Sequence, residues 1–477
     1  MVDAGISHAV VNGLVTGSYI ALGAIGLGLV YNIAKVPNFA HGELLMVGAY
    51  LAAIINIPWA LPGFASFTTE PEVGFTLGVI FFLGTAVSTL GVLYLLGGRR
   101  ALEGRWWPIR TDPRLAIGVH VIAAIGLGLF VMNTAPSLFA GLIVATLVMA
   151  AATPVFDKYL FKQFREGGAT LATMLIVTMG LAFAIRFGIQ AIFGGSVRAY
   201  EFPREIAILG FDINISNFKY FDFFFTEGGL TLRVLDTAPD PNVVMFTVEY
   251  PWFIFGGILL GTVAASYATY RWQTRGRQDY STVQTFGPKL VAPLVGIATF
   301  GILMVVLSQT GSVPSSTIHE TRIRTSYLRL GIILIAIILM VALHILLLET
   351  KLGKAMRASA DNLDLAKVTG IDTSKVMMTT WIIAGAYAAI GGVMVGMLFH
   401  SIRPSMGFFI LLPMFAAVIL GGLSSIYGAI VGSYVVGIAM EVGLFATGTS
   451  GVHRPSIAFL VLLVVLLAKP EGIIGGR

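Results

Sequence analysis

Apolar residues in this chain come in long runs rather than in the one-faced or alternating patterns of a water-soluble fold. The runs fall at about 9–33, 39–57, 75–97, 115–133, 137–156, 169–193, 251–270, 289–309, 329–348, 376–398, 408–423, 426–446 and 456–468. About 20 apolar residues in a helix cross the hydrocarbon of a bilayer. Backbone amides in lipid have no water to bond, and alternating segments of about ten residues do not occur, so helices rather than a barrel are predicted. The expectation is an all-α, multi-pass membrane protein of about 11–13 transmembrane helices, read as one membrane domain over 1–477. The short runs either side of Gly421 and Gly422 are candidates for half-helices. The first run follows Asp3 and His8 rather than a basic stretch and is too long for a signal-peptide core, so it is read as a retained helix.

Composition strengthens this reading. The 477 residues are 56% apolar and 11% charged, against about 25% charged in an ordinary globular domain, so the chain cannot cover itself with a polar surface. Cysteine is absent, which excludes disulfides, iron–sulfur clusters and thiolate zinc sites. A net charge of +6 would suggest nucleic acid in a soluble protein. Here the basic residues instead mark topology and no nucleic-acid partner is expected. They gather in alternate loops, at Arg99, Arg100, Arg105, Arg110 and Arg114; at Lys158, Lys162 and Arg165; at Arg271, Arg275, Arg277 and Lys289; and through 349–375. Positive loops face the cytoplasm, which predicts an external amino terminus and a cytoplasmic carboxyl terminus. Only the Arg322, Arg324, Arg329 cluster opposes it.

The longest loop, 194–250, carries eight acidic against four basic residues and is read as external. Pro239-Asp240-Pro241 marks turns, and the alternation Phe211-Asp212-Ile213-Asn214-Ile215 predicts a short strand or hairpin. Glycine, 56 residues, sits inside the helices. Gly13 and Gly17, Gly392 and Gly396, and Gly428 and Gly432 have the spacing that lets helix backbones approach closely.

No phosphate-cradling loop is present. Gly353-Lys354 lacks both the upstream glycine and the following hydroxyl, and neither a metalloprotease helix nor a nucleophile elbow occurs. No catalytic residue, metal site or cofactor is expected in this chain. The informative polar stretch is 349–375, mixed in charge with a helical pattern, in which Asp364-Leu365-Ala366 precedes Gly370-Ile371. A short helix stopped by a glycine makes a rigid projection that a soluble partner can grip.

Three blocks resemble a known family. Gly13 to Tyr31, leading into Val36-Pro37-Asn38-Phe39-Ala40-His41-Gly42-Glu43, is similar to the amino-terminal signature of LivH-type permeases of branched-chain amino acid ABC importers. Leu352 to Ala358, through Ala366 and Gly370-Ile371-Asp372, is similar to their cytoplasmic coupling segment. Ala417 to Ser425 with Gly428, then Pro470-Glu471-Gly472-Ile473-Ile474-Gly475, resembles their carboxyl-terminal pattern. The resemblance covers about 9–57, 137–215 and 329–475; 58–136 and 250–309 stand apart as extra helix pairs.

The resemblance implies a permease subunit in the plasma membrane that moves Leu, Ile and Val or a related small polar solute. It implies two cytoplasmic ATPase subunits that use the ATP, a second similar permease and an external solute-binding protein. Gly353, Arg357, Asp361, Asp364, Ala366, Gly370 and Asp372 would then form the ATPase-coupling surface. Asn38, His41 and Glu43 either cap a helix and bond its neighbours or line the solute pathway. Arg186 and Glu441 lie within apolar runs, where a charge needs a partner; they either pair or are satisfied separately. The alternative from another class is an ATP-independent secondary transporter or channel, for which Glu43 and Glu441 are the candidate ion-coupling carboxylates.

Overall fold

The computed structural model describes residues 2–477 except 63, 66–67, 70–71, 103–112, 202–204, 209–210, 215–219, 227, 237–242, 275–287, 311–321, 424, 469–471 and 474–477. Arg105, Arg110, Arg275, Arg277, the Pro239-Asp240-Pro241 turn, Ser424, Pro470-Glu471 and Ile474-Gly475 lie outside the described residues. The helices are α1 (Val2–Ala34), α2 (His41–Asn56), α3 (Phe75–Leu102), α4 (Pro113–Thr134), α5 (Leu138–Phe156), α6 (Lys162–Glu166), α7 (Leu171–Phe193), α8 (Trp252–Thr274) and α9 (Pro288–Val306). There follow α10 (Tyr327–Glu349), α11 (Lys351–Asp361), α12 (Leu363–Val368), α13 (Thr373–Phe399), α14 (Met406–Gly421), α15 (Ile426–Thr447) and α16 (Arg454–Ala468).

Each of the apolar runs is a helix. Among the described residues nine are long and apolar enough to cross a membrane, and four shorter apolar helices accompany them. The protein is a multi-pass membrane protein whose candidate spanning elements are all helices. Beside Gly421, α15 has 22 residues and full spanning length, so it is not a half-helix; α14, with 16, is short.

By their internal contacts the described residues form two compact units: 9–215, 331–340 and 351–477 in the larger, and 1–8, 216–330 and 341–350 in the smaller. In the larger unit, α1 and α13 are the interior helices, 94% and 72% buried, whereas α3, α4 and α7 are each 17% buried and present apolar side chains outward, as lipid-facing helices do. The 58–136 segment forms the antiparallel α3–α4 pair, which packs through Leu77, Phe81 and Val131 on Ile55, Ala140 and Val144 of α2 and α5.

Glycine sets the closeness of the interior helices. A Cβ on Gly13 or Gly17 of α1 would strike the backbone or ring of Ile438 and Tyr434 in α15, one on Gly392 of α13 would strike the Leu45 carbonyl of α2, and one on Gly432 of α15 the Ala417 carbonyl of α14. Lipid tails are as apolar as leucine, so helices in a bilayer gain little from apolar burial against each other and associate by packing and interhelical hydrogen bonds. One such bond fixes α5 to α13, from Thr153 Oγ1 to the Trp381 carbonyl at 2.7 Å. Pro154 lies one turn from the end of α5, where a missing N–H disturbs the ladder. The chain there widens into a π-helical turn, Asp157–Phe161, and Phe161 stacks on the fully buried Trp381 with ring centroids 5.2 Å apart.

The smaller unit holds what the sequence reading largely missed. An antiparallel five-stranded sheet runs in the order Gln309–Thr310, Val243–Pro251, Gly229–Asp236, Tyr220–Phe225 and Arg322–Ser326. Val243–Pro251 passes directly into α8, and Arg322–Ser326 into α10. The 250–309 helix pair, α8 and α9, covers the sheet through Leu230, Tyr250 and Ile258, and the Tyr250 hydroxyl donates to the Met304 carbonyl at 2.8 Å. The described residues of 194–250 thus lie mostly in strands. The alternation at 211–215 appears as a separate hairpin, Glu205–Ile208 with Phe211–Asn214, in the larger unit. Asp222, fully buried, accepts from Arg233 Nη2 and Arg324 Nε, each at 2.9 Å. This accounts for Arg324 falling on the wrong side of the charge rule: it serves a carboxylate in the neighbouring strand rather than topology.

Leucine at Gly392 has no room against the Leu45 carbonyl, so Gly392→Leu should cost about 1–3 kcal/mol. Gly84 of α3 meets nothing, and Gly84→Leu should change stability by less than about 0.5 kcal/mol; thermal unfolding followed by fluorescence-detected size exclusion separates the two.

Candidate functional site

Two places in the larger unit carry chemistry. The first is the polar stretch after α10. Helix α11 buries Gly353, Met356 and Ser359 and turns Lys351, Lys354 and Arg357 outward, so its apolar stripe lies on the bundle and its charged face is free. A single residue, Asn362, separates it from α12. Its side-chain oxygen accepts from the amides of Asp364 at 3.1 Å and Leu365 at 2.9 Å, satisfying two of the donors that a helix start leaves open. Ala366 is buried beneath α12, whereas Leu365 and Val368 are 61% and 86% exposed on its outer side. Asp364 and Lys367 pair beside them at 3.3 Å, exposed and therefore of small energetic weight.

The helix ends at Gly370, whose φ of +85° is left-handed and open to glycine at low cost. The Ile371 amide returns to the Ala366 carbonyl at 3.0 Å and the Gly370 amide to Lys367 at 3.1 Å, the bonds of a glycine-terminated helix. Asp372 then caps α13 by accepting from Lys375 N at 3.1 Å. Of the sequence-predicted coupling residues, Asp364, Ala366, Gly370 and Asp372 thus build one rigid projection. Gly353 is buried in its root, and Arg357 and Asp361 lie on the exposed part of α11. Lys35, from the α1–α2 turn, donates to the Ala360 carbonyl at 3.2 Å and ties this corner to the start of α2.

The second place is the start of α2. Asn38 Oδ1 accepts from the Ala40 amide at 3.1 Å, so Asn38 shapes the turn. His41 and Glu43 do not cap: the residue before the helix is Ala40, without a side-chain bond. Both are instead buried inside the bundle. The His41 imidazole lies against the Gly23 backbone, in the space that a side chain on Gly26 would need. Glu43 Oε1 accepts from Arg186 of α7, through Nε at 3.1 Å and also through Nη2. The guanidinium rests over Phe408 of α14 at 4.9 Å and Phe183 at 5.7 Å, a desolvated setting in which ring faces attract a cation. Asn38 Nδ2 and Glu43 Oε2 are buried without partners.

Arg186 and Glu441 therefore do not pair. Glu441 of α15 is held bidentately by Arg454 of α16, at 2.7 and 3.2 Å, and accepts from Thr16 of α1 at 3.0 Å. Sequence reasoning missed Arg454 because it opens a short helix, where a basic residue looks like an ordinary loop charge; the rule that an intramembrane acid needs a cation was the available signal. The carboxyl-terminal pattern also closes on itself: Gly472 packs against Gly422, and the Ile473 amide donates to the Leu420 carbonyl at 2.7 Å.

These features define a helical membrane protein with a capped projection at one end and paired charges inside. Residues 241–469 match the model of a family described as branched-chain amino acid transport system / permease component. The chain is 33% identical over 150 residues to the high-affinity branched-chain amino acid transport system permease protein BraD of Pseudomonas aeruginosa, covering 31% of this chain and 48% of that protein. It is 36% identical over 142 residues to LivH of Escherichia coli, and 37% identical over 147 residues to a probable LivH of Methanocaldococcus jannaschii. Each of these covers 30% of this chain and 46% of the relative. The chain thus matches about half the length of these relatives. No solved structure matches. The similarity to LivH-type permeases, first read from three short blocks, is shown. The matched stretch takes in α8 and α9, which the sequence reading set apart, and leaves out the amino-terminal block.

Removing one member of the Glu43–Arg186 pair leaves the other charge buried. Arg186→Met should cost about 3–5 kcal/mol, and adding Glu43→Gln should recover most of it in the same thermal assay. Asn362→Ala should cost about 1 kcal/mol, read as faster proteolysis at α12 with the rest of the chain intact.

Proposed function

We propose that this chain is the membrane permease subunit of an ATP-driven importer for branched-chain amino acids or a related small polar solute. The observation that carries this is the α11–α12 projection: an outward pair of large apolar side chains, Leu365 and Val368, on a helix capped at both ends. Two exposed apolar residues on a rigid tip are what a groove on a soluble partner recognises. The match to permease components of branched-chain transport supports the same reading.

In this reading two cytoplasmic ATPase subunits seat on the projection and use the ATP, a second similar permease completes the pathway, and an external binding protein delivers solute. The amino terminus is external and the carboxyl terminus cytoplasmic, as the basic loops favour. Closure of the ATPases moves α12, and the bundle shifts between outward-open and inward-open packing. Asn38, His41 and Glu43 line the route or support its wall at the start of α2. A secondary transporter would rely on Glu43 and Glu441 as proton or ion carriers, and each is held by an arginine, which favours the importer.

Ala366→Arg, which forces a charge under α12, and Gly370→Pro, incompatible with φ of +85°, should abolish solute uptake while the chain accumulates in the membrane at normal level. Affinity purification from native membranes should recover ATPase subunits and a second permease in stoichiometric amount. Unchanged uptake in both variants, or recovery of the chain alone, would count decisively against the importer.

A further inference from the structure

Helices α2 and α13 start at one corner of the larger unit and end together at the opposite one. Helix α13 leaves the projection at Thr373 and ends at Phe399; α2 begins beyond Lys35, which bonds Ala360 of α11, and ends at Asn56. Along their seam backbone meets backbone, with Gly392 against the Leu45 carbonyl and Gly48 against Ala389. One turn beyond Gly392 the contact changes. Gly396 faces the ring of Tyr200, from the segment after α7, and the Tyr200 hydroxyl donates to the Ala49 carbonyl of α2 at 2.8 Å. A side chain from outside the pair is thus wedged between the far ends of the two helices.

The segment that carries this wedge, 194–201, is a strap across those ends. Arg198 exchanges backbone hydrogen bonds with Ile402, just past α13, at 2.9 and 2.6 Å, and the Asn56 side chain bonds the Glu201 amide and carbonyl at 2.9 and 2.8 Å. Of the strap's eight residues only Tyr200 is buried. A segment held by hydrogen bonds around one buried ring opens locally at less cost than the packed helices beneath it. The backbone on both sides suits movement. The strap leaves α7 at Gly194, φ +78°, where a side chain would meet nothing, so this residue has the freedom of a hinge. Ile402 follows His400, whose φ of +47° is a left-handed conformation that a residue other than glycine holds at a cost. Strain of that kind is relieved when the contact holding it is released.

We propose that the strap 194–201 is a hinged outer gate: with Tyr200 seated it closes the far end of the α2–α13 seam, and it lifts to admit solute. The gate deepens the importer reading, which makes this end external.

The first test locks the strap. Opposed residues that exchange both hydrogen bonds have Cα atoms about 5.5 Å apart, within the range of about 4.4–6.8 Å that a disulfide spans, and the chain has no cysteine of its own. In right-side-out vesicles holding the complete transporter, oxidation of the double variant Arg198→Cys with Ile402→Cys should abolish radiolabelled leucine uptake in proportion to the cross-linked fraction, read on a non-reducing gel, and dithiothreitol should restore it. Oxidation should leave the uptake of either single variant where it was. A fixed structural strap would be indifferent to the lock, so full cross-linking with undiminished uptake overturns the gate, and failure to cross-link overturns the bridge on which it rests. The second test uses Ile402→Cys alone, since Ile402 is fully buried. A membrane-impermeant maleimide added outside should modify it slowly at rest and several-fold faster with ATP inside and leucine outside. Labelling that turnover does not alter, or that requires broken vesicles, overturns the outer gate. Leucine uptake that needs no ATP but is still stopped by the lock removes the importer alone.

Discussion

Everything in the larger unit depends on helices coming closer than ordinary side chains allow. Water drives apolar faces together in a soluble core; in lipid that drive is nearly absent between helices. Glycine replaces it with contact. The α1–α15, α2–α13 and α14–α15 seams each place a glycine against a neighbour's backbone or ring, which recruits dispersion attraction along whole turns. The polar features follow from that closeness. Thr153 reaches the Trp381 carbonyl, and Glu43 reaches Arg186, only because the helices bearing them are adjacent without intervening bulk.

The same closeness explains how a chain with so few charges tolerates several inside. Glu43 and Glu441 are each met by an arginine from another helix, and Asp222 in the smaller unit by two from other strands. A charge buried in a bilayer without a partner is costly, so these pairs constrain which helices and strands are neighbours. Their net contribution to stability is modest, because desolvation offsets much of the attraction; their larger effect is on specificity of assembly.

Helix positions were legible because a spanning helix needs an uninterrupted apolar run, and every run proved helical. The glycine spacings were legible too, since close approach demands small residues at fixed intervals. The five-stranded sheet was not. Its strands are short, and Tyr220–Phe225 pairs with Arg322–Ser326 about a hundred residues away, a separation that local alternation does not reveal. Charge partners failed for the same reason: Glu43 and Arg186 are 143 positions apart, and the sequence offered Glu441 as an equally good mate. The α11–α12 projection was half legible. Its glycine stop and acidic residues stood out, but the one-residue junction at Asn362 and the outward aim of Leu365 and Val368 are properties of the folded turn.

That junction has a mechanical meaning. Between α11 and α12 there is one residue, and between α12 and α13 only the turn from Thr369 to Asp372, each fixed by hydrogen bonds to its own helix end. A linkage of this kind has almost no slack. A displacement of the tip is not absorbed by bending of a loop but reappears at the first turn of α13, an interior helix packed against α2 and α5. The segment is a crank rather than a tether, and its stiffness sets how small a movement outside the bundle is enough to be felt within.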